Sequence, residues 1–175
     1  MENNCLTLKQ GIRTKEENLL KIGETIKIDK FKNIGELYTA LKGKGDIIIS
    51  CPAKKLLGDH PLAITSQFTE INLIDLLVID IGFKSGATYG EIISKATRLG
   101  LDLCSFEVAP QLCLNYSSYL KGGWLCIAME PIKDSIERPT IFKVELDFDK
   151  SHLDVACGSP YYYWDADQHF IFCYK

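Results

Sequence analysis

PTIFKVELDFDKSHLDVACGSP, residues 139–160, is the stretch from which the fold class is read. In it Phe142, Val144, Leu146 and Phe148 alternate with Lys143, Glu145 and Asp147, the period-two pattern of a strand with one apolar and one polar face. Asp149-Lys150 then reads as a turn, His152 to Ala156 as a second strand, and Gly158-Ser159-Pro160 as the next turn. Working outward, Trp124 to Met129 precedes the pair, and His169 to Tyr174 follows it after the turn residues Asp165 to Gln168. Four sequential strands with short links predict an antiparallel meander, with Phe142, Val144, Leu146 and Phe148 turned inward.

Upstream the pattern becomes helical. Glu24 to Ile28 reads as a short strand, and Asn33 with Glu36 three residues on reads as a helix start, the apolar stripe of Leu37, Ala40 and Leu41 following and Gly43 offering a left-handed stop. Ser50 and Pro52 open a second helix that runs to Gly58. Ile71 to Ile79 is aliphatic over strand length and predicts a strand covered on both faces. TYGEIISKATRLG, residues 88–100, is the clearest helix: Thr88 and Glu91 form a capping box, Ile92, Ala96 and Leu99 share a face, and Gly100 ends it. A further short helix is expected in SFEVAPQLCLNY, with Pro110 breaking or restarting it. The expectation is a single α+β domain over residues 23–175, its helices packed on one face of the meander and the 88–100 helix on the side of Leu146, preceded by a loose arm over 1–22.

Composition narrows the function classes. The chain has 175 residues, 46% hydrophobic and 25% charged, which suits one ordinary soluble domain and excludes collagen-like, disordered and disulfide mini-protein classes. The longest apolar stretch, Ile71 to Phe83, is short for a bilayer and is interrupted by Asn72, Asp75 and Asp80, so no membrane partner is expected. The start MENNCLTLKQ lacks a basic end followed by an apolar run, which predicts no export signal. Seven cysteines, an odd count without a CxxC pair, fit a reducing compartment and a cytoplasmic location. Residues 1–55 carry eleven basic and seven acidic side chains, and residues 56–175 carry nine and sixteen, so the larger part is acidic and disfavours nucleic acid as a partner.

Few constellations carry chemistry. Cysteines and histidines lack the close pairing of a structural zinc site, and no phosphate-cradling glycine loop or GxSxG context is present, so neither metal nor cofactor is expected. Cys104, or the carboxylate of Glu107, is the candidate if the chain is a small hydrolase or transferase, although Leu103 and Phe106 suggest that Cys104 is packed as a small hydrophobe. Residues 88–115 have the outline of a helix-turn-helix, but Asp102, Glu107 and Gln111 stand where a DNA reader needs basic groups. Glu145, Asp147 and Asp149 share one face of a strand and read as a solvated surface. The run Tyr161-Tyr162-Tyr163-Trp164 is the most unusual feature, because four adjacent aromatics cannot all enter one core. With Asp165 and Asp167 beside it, this run is the candidate binding surface, and at least two of its rings are expected to be exposed.

LGLDLC (99–104), EVAPQLCLNY (107–116), GGWLCIAMEPIKDS (122–135) and WDADQHFIF (164–172) also carry a resemblance. Together they resemble a group of bacterial proteins of similar length that share LGLxLC, EVxPQLxLxY, GxWLxIAMEPI and WDxDxxFxF strings, a group without an assigned activity. The resemblance spans residues 82–175 and implies a bacterial source and one compact unit. Ser105 and Cys113 depart from it, standing where the group has proline and arginine. The expected function is therefore that of a bacterial cytoplasmic protein-binding module without chemistry of its own. A hydrolase or transferase through Cys104 or Glu107, and a DNA-binding regulator through 88–115, are the alternatives.

Overall fold

Leu146 is 1% exposed while its neighbour Glu145 is only half-buried, so the strand from Pro139 to Leu146 has the two unlike faces its sequence calls for. In the computed structural model, which describes residues 24–59, 64, 69–115, 123–146 and 149–174, this strand lies near one end of a mixed eight-stranded sheet. The arm expected over 1–22, together with Asp147 and Phe148, falls outside the described residues.

The elements in chain order are β1 (Glu24–Ile28), α1 (Ile34–Gly43), β2 (Ile47–Ile49), α2 (Cys51–Asp59), β3 (Thr69–Leu77), β4 (Ala87–Thr88) and α3 (Tyr89–Arg98). They continue with α4 (Val108–Asn115), β5 (Trp124–Ile127), β6 (Ile132–Lys133), β7 (Pro139–Leu146), β8 (Ser151–Cys157), β9 (Tyr163–Trp164) and β10 (His169–Tyr174). Local chemistry sets the helix starts. The Asn33 side chain accepts from the Glu36 N–H at 3.0 Å, and Ser50 Oγ accepts from the Ala53 N–H at 3.2 Å. At α3 the Glu91 N–H donates to Thr88 Oγ1 and the Thr88 N–H donates back to Glu91 Oε2 at 2.9 Å, a complete capping box. Pro110 does not break α4, because it sits in the first turn, where a missing N–H leaves no helix bond unmade. Gly43 is not the left-handed stop of α1; the helix includes it, and Gly45 takes the positive φ of 75°.

The sheet order is β1-β3-β10-β5-β7-β8-β2, with β6 beside β7. Strands β5, β7 and β8 follow one another antiparallel, as expected. The fourth strand corrects the meander: β10 does not continue beyond β8 but returns to the far side of β5, parallel to it, and runs antiparallel to β3. The aliphatic β3 is the reason, since Leu73, Ile74 and Leu76 are almost fully buried and require a partner strand and cover on both faces. The three-residue β2, which closes the other edge parallel to β8, and the two-residue β4, β6 and β9 are further elements.

Residues opposite one another in register share a face. Phe142, Val144 and Leu146 thereby lie with Leu125, Leu153 and Val155, and on β10 with His169 and Ile171. Helix α4 packs on β7 and β8, α2 packs on β8, and both join α1 on this buried side. The opposite face presents Lys143, Glu145, His152 and Asp154, all half-buried. Here the expectation for the 88–100 helix is corrected. Tyr89 of α3 packs on Phe170 (5.9 Å between ring centroids), and Phe170 is in register with Cys126 and so with Lys143, which puts α3 on the face away from Leu146. The Leu146 side is covered instead by α1, α2 and α4, leaving α3 and the β4–β9 ribbon as a partial third layer.

Candidate functional site

The aromatic run lies in the connection between β8 and β10 and is held by the start of α3. Ala87 pairs with Trp164 and Thr88 with Tyr163, the Tyr89 N–H donates to the Tyr162 carbonyl at 2.9 Å, and the Gly90 N–H donates to the Pro160 carbonyl at 3.0 Å. Gly86, at a φ of 101°, makes the closest approach: a Cβ there would fall 2.4 Å from the Trp164 carbonyl oxygen, a separation no side chain can occupy. The Tyr162 N–H closes a turn onto the Ser159 carbonyl at 2.9 Å, and the Tyr163 hydroxyl donates to the Ser85 carbonyl at 2.7 Å.

This frame divides the four aromatics. Trp164 is buried, edge-on to Phe170 at 5.2 Å and to Tyr162 at 5.0 Å between ring centroids. Beneath it Phe170 meets Tyr89, whose hydroxyl donates to the Met129 carbonyl at 2.7 Å and accepts from the Met129 N–H at 3.1 Å. Burial raises the Tyr89 hydroxyl pKa, keeping it protonated as a donor. Tyr161, Tyr162 and Tyr163 instead face solvent, at 88%, 46% and 53% exposure. Three of the four rings are thus outside, with Asp165 and Asp167 exposed beside them. The run is a ledge of tyrosines bolted to the core through one tryptophan.

Cys104 and Glu107 are both buried, 4% and 1% exposed. Cys104 lies in the extended segment between α3 and α4, and its sulfur faces Cys173 and the Ile171 carbonyl rather than a histidine. The same segment replaces the turn of a helix-turn-helix, and Val108 to Leu114 of α4 are buried throughout, leaving that helix no face for a DNA groove. Glu145 lies on the polar face of β7, where the Lys143 ammonium sits 4.0 Å over the Trp124 ring and 3.5 Å from Asp154.

Two arrangements have no counterpart among the sequence expectations. His169 Nδ1 lies 2.9 and 3.0 Å from the two carboxylate oxygens of Asp75, a fully buried side chain on the neighbouring strand. The Asp75 hydrogen bond raises the His169 pKa; burial raises that of Asp75 itself while the histidine pulls against the rise. The second is a cleft of about 450 Å³ between α2 and the β6–β7–β8 corner, where Cys51, Lys55, Asp134, Ser135, Arg138 and Thr140 stand among apolar residues. Asp134 already holds Arg138 at 2.8 Å. Neither Cys104 nor Glu107 lines this cleft. Its walls come from three separated segments with no shared motif, so no sequence signal marks it. Comparison with protein-family models, with curated proteins and with solved structures finds no match to this chain.

Proposed function

We propose that this domain is a binding module whose partner, a protein segment carrying positive charge beside apolar or proline side chains, docks on the Tyr161–Tyr163 ledge. One observation carries the reading: three consecutive tyrosines are exposed on a connection that is itself fixed by backbone pairing to β4 and α3. Tyrosine offers large apolar area with few rotatable bonds, so a prearranged ledge loses little entropy on binding. Asp165 and Asp167 at its edge favour a basic partner and add attraction that salt screens.

The test is an array of basic and proline-containing peptides probed with the full chain, followed by titration of the hits. Selective binding that weakens as salt rises and is lost when Tyr161, Tyr162 and Tyr163 are changed together to Ala is the expected result. Equal binding of wild type and triple variant across the array overturns the reading.

A further inference from the structure

Most of the described cysteines are isolated. Burial alone pushes the Cys113 thiol up to about 12, burial likewise dominates at Cys126, and Cys51 is exposed on α2. Cys104 and Cys173 differ. The segment carrying Cys104 continues the sheet where β5 ends: Asp102 exchanges both backbone hydrogen bonds with Cys173, at 2.8 and 2.9 Å, and the Cys104 N–H donates to the Ala128 carbonyl at 2.7 Å. This antiparallel bridge puts Cys104 opposite Ile171 and diagonal to Cys173, with both thiols on one side of the sheet. Their sulfurs are 3.2 Å apart, within about 1.2 Å of a disulfide bond length of about 2.05 Å. Cys104 is buried, and Cys173, two positions from the last residue, is only half-buried.

We propose that Cys104 and Cys173 form a dithiol site that is oxidised to an intramolecular disulfide by low-molecular-weight disulfides. Cys173 is the attacking group. In the neutral pair Cys173 donates to the Cys104 sulfur; once Cys173 is a thiolate the Cys104 thiol turns to donate to it, and this interaction lowers the Cys173 pKa below that of an ordinary thiol, while burial holds Cys104 well above one. In the first step the Cys173 thiolate forms a bond to one sulfur of the small disulfide; the S–S bond of the oxidant breaks, and one small thiolate leaves with the electron pair and is protonated by solvent. In the second, Cys104 gives up its proton and attacks the Cys173 sulfur, the mixed disulfide breaks, and the second small thiol leaves with a proton. The protein loses two electrons and two protons, and one small disulfide becomes two thiols. His169 takes no part as a base, since it lies four residues along the strand from Cys173, roughly 13 Å away, and its Nδ1 is engaged by Asp75. The product ties the last strand to the segment between α3 and α4, closing a loop across 69 positions of chain.

The experiment treats the folded full chain with oxidised glutathione and maps disulfides by mass spectrometry without reduction. A peptide containing Cys104 joined to one containing Cys173 is expected, with a melting temperature raised by about 10 °C that dithiothreitol reverses. In Cys104→Ser the second step is blocked, so a stable glutathione adduct accumulates on Cys173; Cys173→Ser leaves Cys104 unmodified. Exposed Cys51 is the internal control for the oxidant. Wild-type protein in which Cys51 takes up glutathione while Cys104 and Cys173 remain unlinked overturns the proposal, whether or not the variants fold.

Discussion

His169 and Asp75 show how one pair makes stability depend on pH. The folded pKa of His169 is raised above its ordinary 6.5 by the Asp75 hydrogen bond, with Asp80 and Asp167 adding to the rise. A raised folded pKa means that the folded state holds the proton more tightly than the unfolded chain. The stabilisation is therefore complete below 6.5 and is lost as pH rises through the folded value. The raised Asp75 carboxyl has the same sign, since its ionisation is disfavoured only when folded. Melting temperatures taken from about pH 6 to about pH 8 should fall for wild type and be flatter for His169→Gln. An equal slope in both proteins would show that this pair does not set the dependence. At the head of α3, Thr88→Ala removes the acceptor for the Glu91 N–H and should cost about 1 kcal/mol in denaturant unfolding.

At the scale of elements, β7 is the strand whose two faces can be told apart by mutation. Leu146 is 1% exposed beneath the helical layer, and Leu146→Ala should cost about 2 to 5 kcal/mol, the lost transfer energy plus the cavity left behind. Glu145→Ala, on the half-open polar face, should cost well under 1 kcal/mol. Equal effects in urea unfolding would mean that the strand is faced the other way. The β4–β9 ribbon depends on a single backbone position. Gly86→Ala would put a methyl group 2.4 Å from the Trp164 carbonyl and strain a positive φ, so it should loosen the ledge even though its own side chain touches no partner. Stronger tyrosine fluorescence quenching by acrylamide in this variant is the expected sign.

For the whole molecule, the ledge separates binding from stability. Replacing Tyr161, Tyr162 and Tyr163 by Ala should abolish capture of the basic peptide and leave the melting temperature within about 3 °C of wild type, because all three are exposed and, of their rings, only that of Tyr162 meets a buried one. Trp164→Ala should do the reverse first, lowering stability by about 3 to 5 kcal/mol through loss of the edge-on contact with Phe170. A triple variant as unstable as Trp164→Ala would show that the tyrosines serve the core. The sheet supplies the rigidity that makes this division possible: β10 is an interior strand, bonded to β3 on one side and β5 on the other, and it anchors the connection at its base.

The sequence by itself determined whatever is decided within a few residues. Asn33, Ser50 and Thr88 meet N–H groups three positions away, so their helices are legible as text. The alternation through Phe142, Val144 and Leu146 needs only the period of a strand, and the excess of four adjacent aromatics needs only the fact that a core has one side. Among the described residues, no helix is long and apolar enough to cross a membrane, in keeping with the charges that interrupt the apolar stretch at 71–83. Tertiary structure decided the rest, because it concerns partners that compete for one another over long separations. Nothing within β10 names its neighbours, and only the complete sheet sets it between β3 and β5 rather than beside β8. The Asp75–His169 pair spans 94 positions and the Cys104–Cys173 pair 69, and neither spacing carries a signal of its own. Which of the four aromatics turns inward was likewise fixed from outside the run, by the room that Gly86 leaves for the Trp164 backbone and the ring of Phe170 that receives its indole.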